Sequence, residues 1–288
     1  MKNRTESIKA KLKNVSKEWN KNHQLTLIRY FQERFLYRLS ISKYRKNFFL
    51  KGGVLIYAIE RESSRPTLDL DLLARKIEAD QEKIKRIFQE ICSMPCEEDG
   101  VIFDRDSIET SEIVKEGNYS GVRAKVLATL GNIKQRIQVD TGFGDIVVPG
   151  PVAMTFPTLI ELPNPELLAY SVESLISEKF EAMINLAELN SRMKDFYDIY
   201  RILESGNYNE KILREAIVNT ISRRGTPLSE QHVIFSENFS TNEKRDSQWK
   251  AFLKRAGLNE DINLYYVMKI IKEKLKPVYD ELVRRKGN

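Results

Sequence analysis

The stretch K-G-G-V-L-I-Y-A-I-E-R-E-S-S-R-P-T-L-D-L-D, from Lys51 to Asp71, decides how the chain is read. Gly52-Gly53 puts two residues without side chains where a helix should open, so backbone amides and the positive end of a helix dipole can approach a phosphate. That helix runs to about Arg61, and Pro66 stops any continuation, because proline lacks an amide hydrogen and its ring crowds the preceding turn. In the segment that follows, Thr67, Asp69, Asp71 and Leu73 fall on one face and Leu68, Leu70 and Leu72 on the other, the alternation of a strand with one polar face. Two carboxylates on one strand face repel each other and call for a cation. Neighbouring Lys or Arg side chains would serve, and so would a divalent metal, since Mg²⁺ takes hard oxygen ligands from one or two carboxylates.

Working outward, Asp140 ends the apolar-alternating strand Ile137 to Val139 and could meet the pair from an adjacent strand. The three acids together make a metal site a stronger reading than D-x-D alone. Between them lie a helix over 80–92 and strands over Gly100–Phe103, Ser107–Lys115, Gly121–Leu130 and Lys134–Asp140. Turn signals stand at Glu116-Gly117-Asn118 and Gly131-Asn132, as an antiparallel meander requires. The Gly- and Pro-rich stretch Gly142 to Pro165 reads as the crossing into a helical half.

From Ser171 onward the period is helical, with segments near 171–190, 192–204, 209–223, 243–256 and 261–284. Ser171 and Asp261 suit N-caps, and Gly206, Gly225 and Gly257 suit helix ends. The expected fold is α+β: residues 1–160 form a mixed sheet with flanking helices, and residues 161–288 are all helical.

The whole chain of 288 residues carries +6, but residues 1 to 50 hold thirteen Lys and Arg against three Glu, a local +10. A basic segment beside a nearly neutral body suits a polyanion such as RNA, because neutralised phosphates release counterions. A solvated basic helix face explains the charge equally well. Within this segment 24–46 reads as one helix, with Leu25, Ile28, Phe31, Phe35 and Leu39 as its apolar stripe and a polar face open to RNA. Cys92 and Cys96 are too few for a disulfide framework or a zinc site. The sequence has no apolar run long enough to cross a bilayer and no signal-peptide core, so a cytoplasmic protein with no membrane partner is expected; a monomer is expected as well.

Three helical residues stand out. On the helix over 171–190, Lys179 falls within the apolar face of Ile176, Phe180, Met183 and Ala187. Lysine is seldom buried unpaired, so it either snorkels to solvent or points at an anion. Asp195 and Asp198 border the apolar face of the next helix, where surface pairing with Arg192 or Arg201 is the plain alternative to a functional role. His23 and His232 have no partner motif, which argues against Ser–His or Cys–His catalysis. Tyr265, Tyr266 and Tyr279 read as packing.

The K-G-G and D-L-D motifs with Asp140 resemble the nucleotidyltransferase superfamily to which DNA polymerase beta belongs. Fifteen residues separate Gly53 from Asp69, more than that pattern usually has. The runs E-L-L-A-Y-S-V-E-S-L-I-S-E-K-F-E-A-M (166–183) and R-M-K-D-F-Y-D-I-Y (192–200) narrow the resemblance to the AbiEii/AbiGii toxin family, which includes the MenT toxins, over roughly residues 48–204. The resemblance implies a polymerase-beta-like core followed by a helical domain, with the active site in the cleft between them. It also implies an NTP substrate and a Mg²⁺ or Mn²⁺ ion held by Asp69, Asp71 and Asp140. Lys51, Gly52, Gly53, Thr67, Lys179 and Asp198 would lie against the nucleotide, and Asp195 is the closer match to the family's essential helical aspartate. The implied biology is a type IV toxin–antitoxin or abortive-infection toxin with a cognate AbiEi-like antitoxin, some relatives adding nucleotides to the tRNA acceptor end. Transfer to a small molecule or protein, and a non-catalytic NTP-binding regulator, are the other readings. A phosphate on Thr67 would set negative charge beside the metal carboxylates.

Overall fold

Two helices precede the glycines: α1 (Lys2–Glu18) and α2 (His23–Ile41), the latter capped by the Asn22 side chain, which accepts from the Gln24 amide. The computed structural model describes residues 2–115, 119–187, 191–258 and 261–286. α2 stops short of the expected residue 46 because Ser42 turns back, donating from both its amide and its hydroxyl to the Leu39 carbonyl.

The polar side of α2, expected to face RNA, is buried instead. Arg38 grips Asp99 at 2.7 and 3.2 Å, Arg34 pairs with Glu33 and donates to the Pro163 carbonyl, and Gln32 donates to that of Leu68. Arg29 lies 4.1 Å over the Tyr57 ring. Buried polar groups are costly without partners, and here those partners are loop carbonyls, carboxylates and a ring, so the side chains tie neighbouring loops to the helix. The exposed lysines of the segment include Lys11, Lys13 and Lys17 on α1.

After α2 come β1 (Phe48–Lys51), α3 (Gly52–Glu60), β2 (Asp69–Ala74), α4 (Gln81–Cys92), β3 (Val101–Lys115), β4 (Tyr119–Leu130) and β5 (Ile133–Phe143). The two strands expected at 100–103 and 107–115 are one, with a register break between Asp104 and Glu109. The turn expected at 116–118 lies outside the described residues. β6 (Val152–Thr155) and β7 (Glu166–Ala169) complete a seven-stranded mixed sheet of order β3-β4-β5-β2-β1-β7-β6. β2 pairs parallel with β5 and antiparallel with β1. One sheet face is apolar, with Leu70, Leu72, Val139, Ala124 and Val126 all buried. Phe35 of α2 and Phe88 of α4 pack there against Phe103 and Phe48.

The chain forms two compact units, Met1–Gly144 with Pro151–Ala169, and Asp145–Gly150 with Tyr170–Asn288. The stretch read as a plain crossing therefore contains β6 and leads directly into β7, and residue 160 falls between them. The second unit contains α5 (Val172–Leu186), α6 (Met193–Ser205), α7 (Glu210–Arg224), α8 (Glu237–Thr241), α9 (Glu243–Ala256) and α10 (Leu264–Lys286). Ser171 caps α5, and Gly206, Gly225 and Gly257 close α6, α7 and α9 in the left-handed conformation. α5 ends at Leu186, and residues 188–190 of the expected helix lie outside the described residues. Asp261 does not cap α10; the Asn263 side chain does, accepting from the Tyr266 amide. Tyr279 is buried as expected, whereas Tyr265 and Tyr266 are exposed. Among the described residues no helix is long and apolar enough to cross a membrane.

Candidate active site

Strand register builds the site on the polar face of the sheet. Lys51 of β1 stands opposite Asp71 of β2, Asp71 opposite Asp140 of β5, and Asp140 opposite Arg123 of β4. Directly opposed residues share a face, so the four make one row across four adjacent strands. Two residues along, Asp69 lies opposite Gln138. Lys51 is buried.

The glycines sit at this row despite their long spacing from Asp69, because α3 and the loop behind it return the chain to β2 beside its own start. Gly52 has φ +67°, and an added Cβ would collide with the Asp71 carboxylate. Both the backbone and the space exclude a side chain there. A Cβ at Gly53 would come within 2.7 Å of Thr67 Oγ1. Thr67 in turn donates a long hydrogen bond, 3.4 Å, to the Asp69 carbonyl. The N-cap residue Lys51 makes no side-chain capping hydrogen bond.

Arg123 and Gln138 are part of the cluster and were not singled out from the sequence. Arg123 donates to both oxygens of Asp140, at 2.9 and 2.7 Å. Gln138 Nε2 donates to Asp69 Oδ1 at 2.8 Å and to Asp140 Oδ2 at 3.3 Å. The hydrogen bond to Asp140 raises the Arg123 pKa against the opposing effect of burial, with the Asp140, Asp69 and Asp71 charges adding to the rise. The signal for both was present: V-R-A-K-V alternates cations on a strand expected near the one with Asp140, and Gln138 lies two residues before Asp140, hence on its face.

Asp69 and Asp71 offer hard oxygen donors on one face, next to a gap that only glycine can leave, which fits a small divalent cation such as Mg²⁺. Asp140 already accepts from Arg123 on both of its oxygens. Among the described residues, no three His, Cys, Asp or Glu side chains are gathered into a metal-holding group. The expected three-carboxylate set is thus aligned in register but not drawn to one point.

The helical unit holds the other expected residues. Lys179 of α5 is buried and reaches Asp195 Oδ1 at 2.8 Å and Asp198 Oδ2 at 2.7 Å, both on α6. Arg192 Nε adds a contact to Asp195 Oδ2 at 3.2 Å. Spacing of three on α6 turns both carboxylates toward one ammonium. Burial pushes the Asp195 carboxyl up, but Lys179 and Arg192 outweigh it and hold the group below its ordinary range. Neither surface pairing nor snorkelling describes these side chains.

The cysteines and histidines stay outside both clusters. Burial raises both thiols, that of Cys92 to about 12, which leaves them protonated and poor nucleophiles. His23 meets the Ser16 hydroxyl, and His232 packs edge-on against Phe235 and Tyr279.

A family model described as the nucleotidyl transferase AbiEii toxin of type IV toxin–antitoxin systems matches residues 34–283. No curated protein sequence matches the chain. Among solved structures, MenT4, a nucleotidyltransferase toxin from Mycobacterium tuberculosis H37Rv, superposes with a TM-score of 0.57 at 15% identity, over 94% of this chain and 98% of that one. JHP933 from Helicobacter pylori does so with 0.51 at 13% identity, over 92% and 96%. At such identities the solved structures show a shared fold.

Proposed function

The chain belongs to the AbiEii family of nucleotidyltransferase toxins of type IV toxin–antitoxin systems, and from that premise we propose a metal-dependent transfer of a nucleoside monophosphate to the acceptor end of tRNA, blocking translation. The acceptor hydroxyl attacks the α-phosphorus of an NTP, the bond from that phosphorus to the β-phosphate oxygen breaks, and pyrophosphate leaves. The observation that carries this reading is the row Lys51, Asp71, Asp140 and Arg123, with Asp69 one step along the same face and Gly52 against Asp71.

Asp69 and Asp71 would hold Mg²⁺ or Mn²⁺, and Asp140 would join them or take the proton of the attacking hydroxyl. The bound ion would supply charge neutralisation on the triphosphate, where most of the catalysis of phosphoryl transfer lies. Lys51 would add positive charge at the buried end of the row, with Gly52, Gly53 and Thr67 shaping the approach of the phosphates. Lys179, its position set by Asp195 and Asp198, would offer positive charge to an anionic group of the substrate. The exposed lysines of α1 support an RNA acceptor, since such contacts strengthen binding through counterion release. A cognate AbiEi-like antitoxin would oppose the activity in the cytoplasm.

Incubation with each α-labelled NTP, Mg²⁺ and total tRNA, beside Asp69→Asn, tests the reading. Label should enter RNA with at least one NTP and vanish in the variant. Absence of RNA labelling with every NTP would sink the tRNA acceptor, and labelling that survives Asp69→Asn would sink the site assignment.

A further inference from the structure

Arg123 and Asp140 form a two-point ion pair that uses Nε and Nη2 of the guanidinium. The remaining nitrogen, Nη1, makes no hydrogen bond to any described residue. The pair is unequally buried: the Arg123 side chain is 37% exposed and that of Asp140 15%. An anion arriving from solvent can therefore reach the guanidinium while the carboxylate stays largely covered.

Charge balance on this face changes when a cation arrives. Asp69, Asp71 and Asp140 place three negative charges there, and Arg123 is the cation hydrogen-bonded to the last of them. A divalent ion adds two positive charges, which together with Lys51 of the same row balance the three carboxylates, so Arg123 is no longer needed as counter-ion and is repelled. A polyphosphate entering with the ion presents oxygens that match the guanidinium fork as well as a carboxylate does. Nη1, without a hydrogen bond to any described residue, leaves its donors available to such a ligand.

We propose that Arg123 is a polyphosphate-contacting residue, parked on Asp140 while the site is without nucleotide: the divalent ion takes Asp140, and the guanidinium transfers to the phosphate chain. This rests on the reading of Asp69, Asp71 and Asp140 as the metal site. Arg123 thereby couples the two ligands, because each removes the partner that the other would have to displace.

Calorimetric titration of the full chain tests it with two probes: Mn²⁺ alone, then inorganic tripolyphosphate at saturating Mn²⁺, which carries the charge without a base. Arg123→Met should bind Mn²⁺ about tenfold more tightly and tripolyphosphate about tenfold more weakly, the worth of one charge-assisted hydrogen bond. Arg123→Lys keeps the charge but not the fork, so its Mn²⁺ affinity should stay near wild type while tripolyphosphate binding weakens. Unchanged or weaker Mn²⁺ binding in Arg123→Met, or undiminished tripolyphosphate binding in either variant, overturns the proposal. Where Arg123→Met does not fold, the tripolyphosphate result for Arg123→Lys decides. Asp71→Asn separates the two levels of inference: Mn²⁺ binding equal to wild type in that variant overturns the metal-site reading itself, whatever the Arg123 variants do.

Discussion

On the sheet, three aspartates share one face with an arginine that is more than one-third exposed, and its fork holds only one of them. In the helical unit, Lys179 is 10% exposed and sits between Asp195 and Asp198, each within 2.8 Å. Both clusters gather opposite charges on a few residues, yet solvent reaches one and hardly reaches the other. Exposed pairs contribute little to stability and exchange partners cheaply, whereas a buried pair that loses one member leaves an uncompensated charge. The sheet cluster is built to trade its counter-ion for a ligand, and the helical cluster is built to hold its geometry.

Asp71→Asn probes the sheet side and should have the largest effect. Nucleotidyl transfer should fall by roughly ten-thousandfold, about 5.4 kcal/mol of transition-state stabilisation, while thermal unfolding stays close to the wild-type temperature because a repulsion with Asp69 and Asp140 and an attraction to Lys51 are lost together. A comparable loss of stability would show that this face is structural and would erase the contrast. Lys179→Met probes the other side. It leaves two buried carboxylates facing each other and should cost about 3–5 kcal/mol of stability, read as a lowered denaturant midpoint. The triple change adding Asp195→Asn and Asp198→Asn should recover part of that loss. An unchanged midpoint in Lys179→Met would mean that the buried lysine is as replaceable as a surface one.

The parts of this contrast that rest on local patterning are legible in the sequence. The period-two alternation of T-L-D-L-D-L places both carboxylates on one face of β2, and Lys179 among Ile176, Phe180 and Met183 is visibly out of place on a solvent surface. What joins them is tertiary and leaves no local trace. Strand order decides that Asp140 lies opposite Asp71, and helix packing decides that Asp195 and Asp198 converge on Lys179. α2 misleads for the same reason: Arg29, Arg34 and Arg38 look like a wet face, but Tyr57, the Pro163 carbonyl and Asp99, which meet them, lie far along the chain. The four-residue strands β6 and β7 are too short to carry a period.

Gly52→Ala sharpens the sheet side at intermediate size. At φ +67°, with the Asp71 carboxylate where the methyl would go, the substitution forces either the backbone or the carboxylate to move. The expected cost is about 1–3 kcal/mol, the range of a strained left-handed residue. It should come with loss of Mn²⁺ binding in calorimetry, because the displaced group is a proposed ligand. Normal Mn²⁺ affinity in a destabilised Gly52→Ala protein would show that the close approach serves only the packing of α3 on β2.

The smallest effect belongs to the pH dependence of the helical cluster, and its sign follows from Asp195. Lys179 and Arg192 hold this buried carboxyl below its ordinary value of 3.8 in the folded protein, so the unfolded chain binds its proton more readily. The resulting stability is fully present above that ordinary value and is lost as pH falls through the lower, folded one. The thermal midpoint of the wild type should therefore drop faster below about pH 4 than that of Asp195→Asn, which has no proton to take up at this position. Above pH 5 the two curves should run parallel, offset by the lost pairing. Parallel curves through the acid range as well would mean that Asp195 is not held in its charged form by the lysine. The helical cluster would then be as loosely coupled as the pair on the sheet.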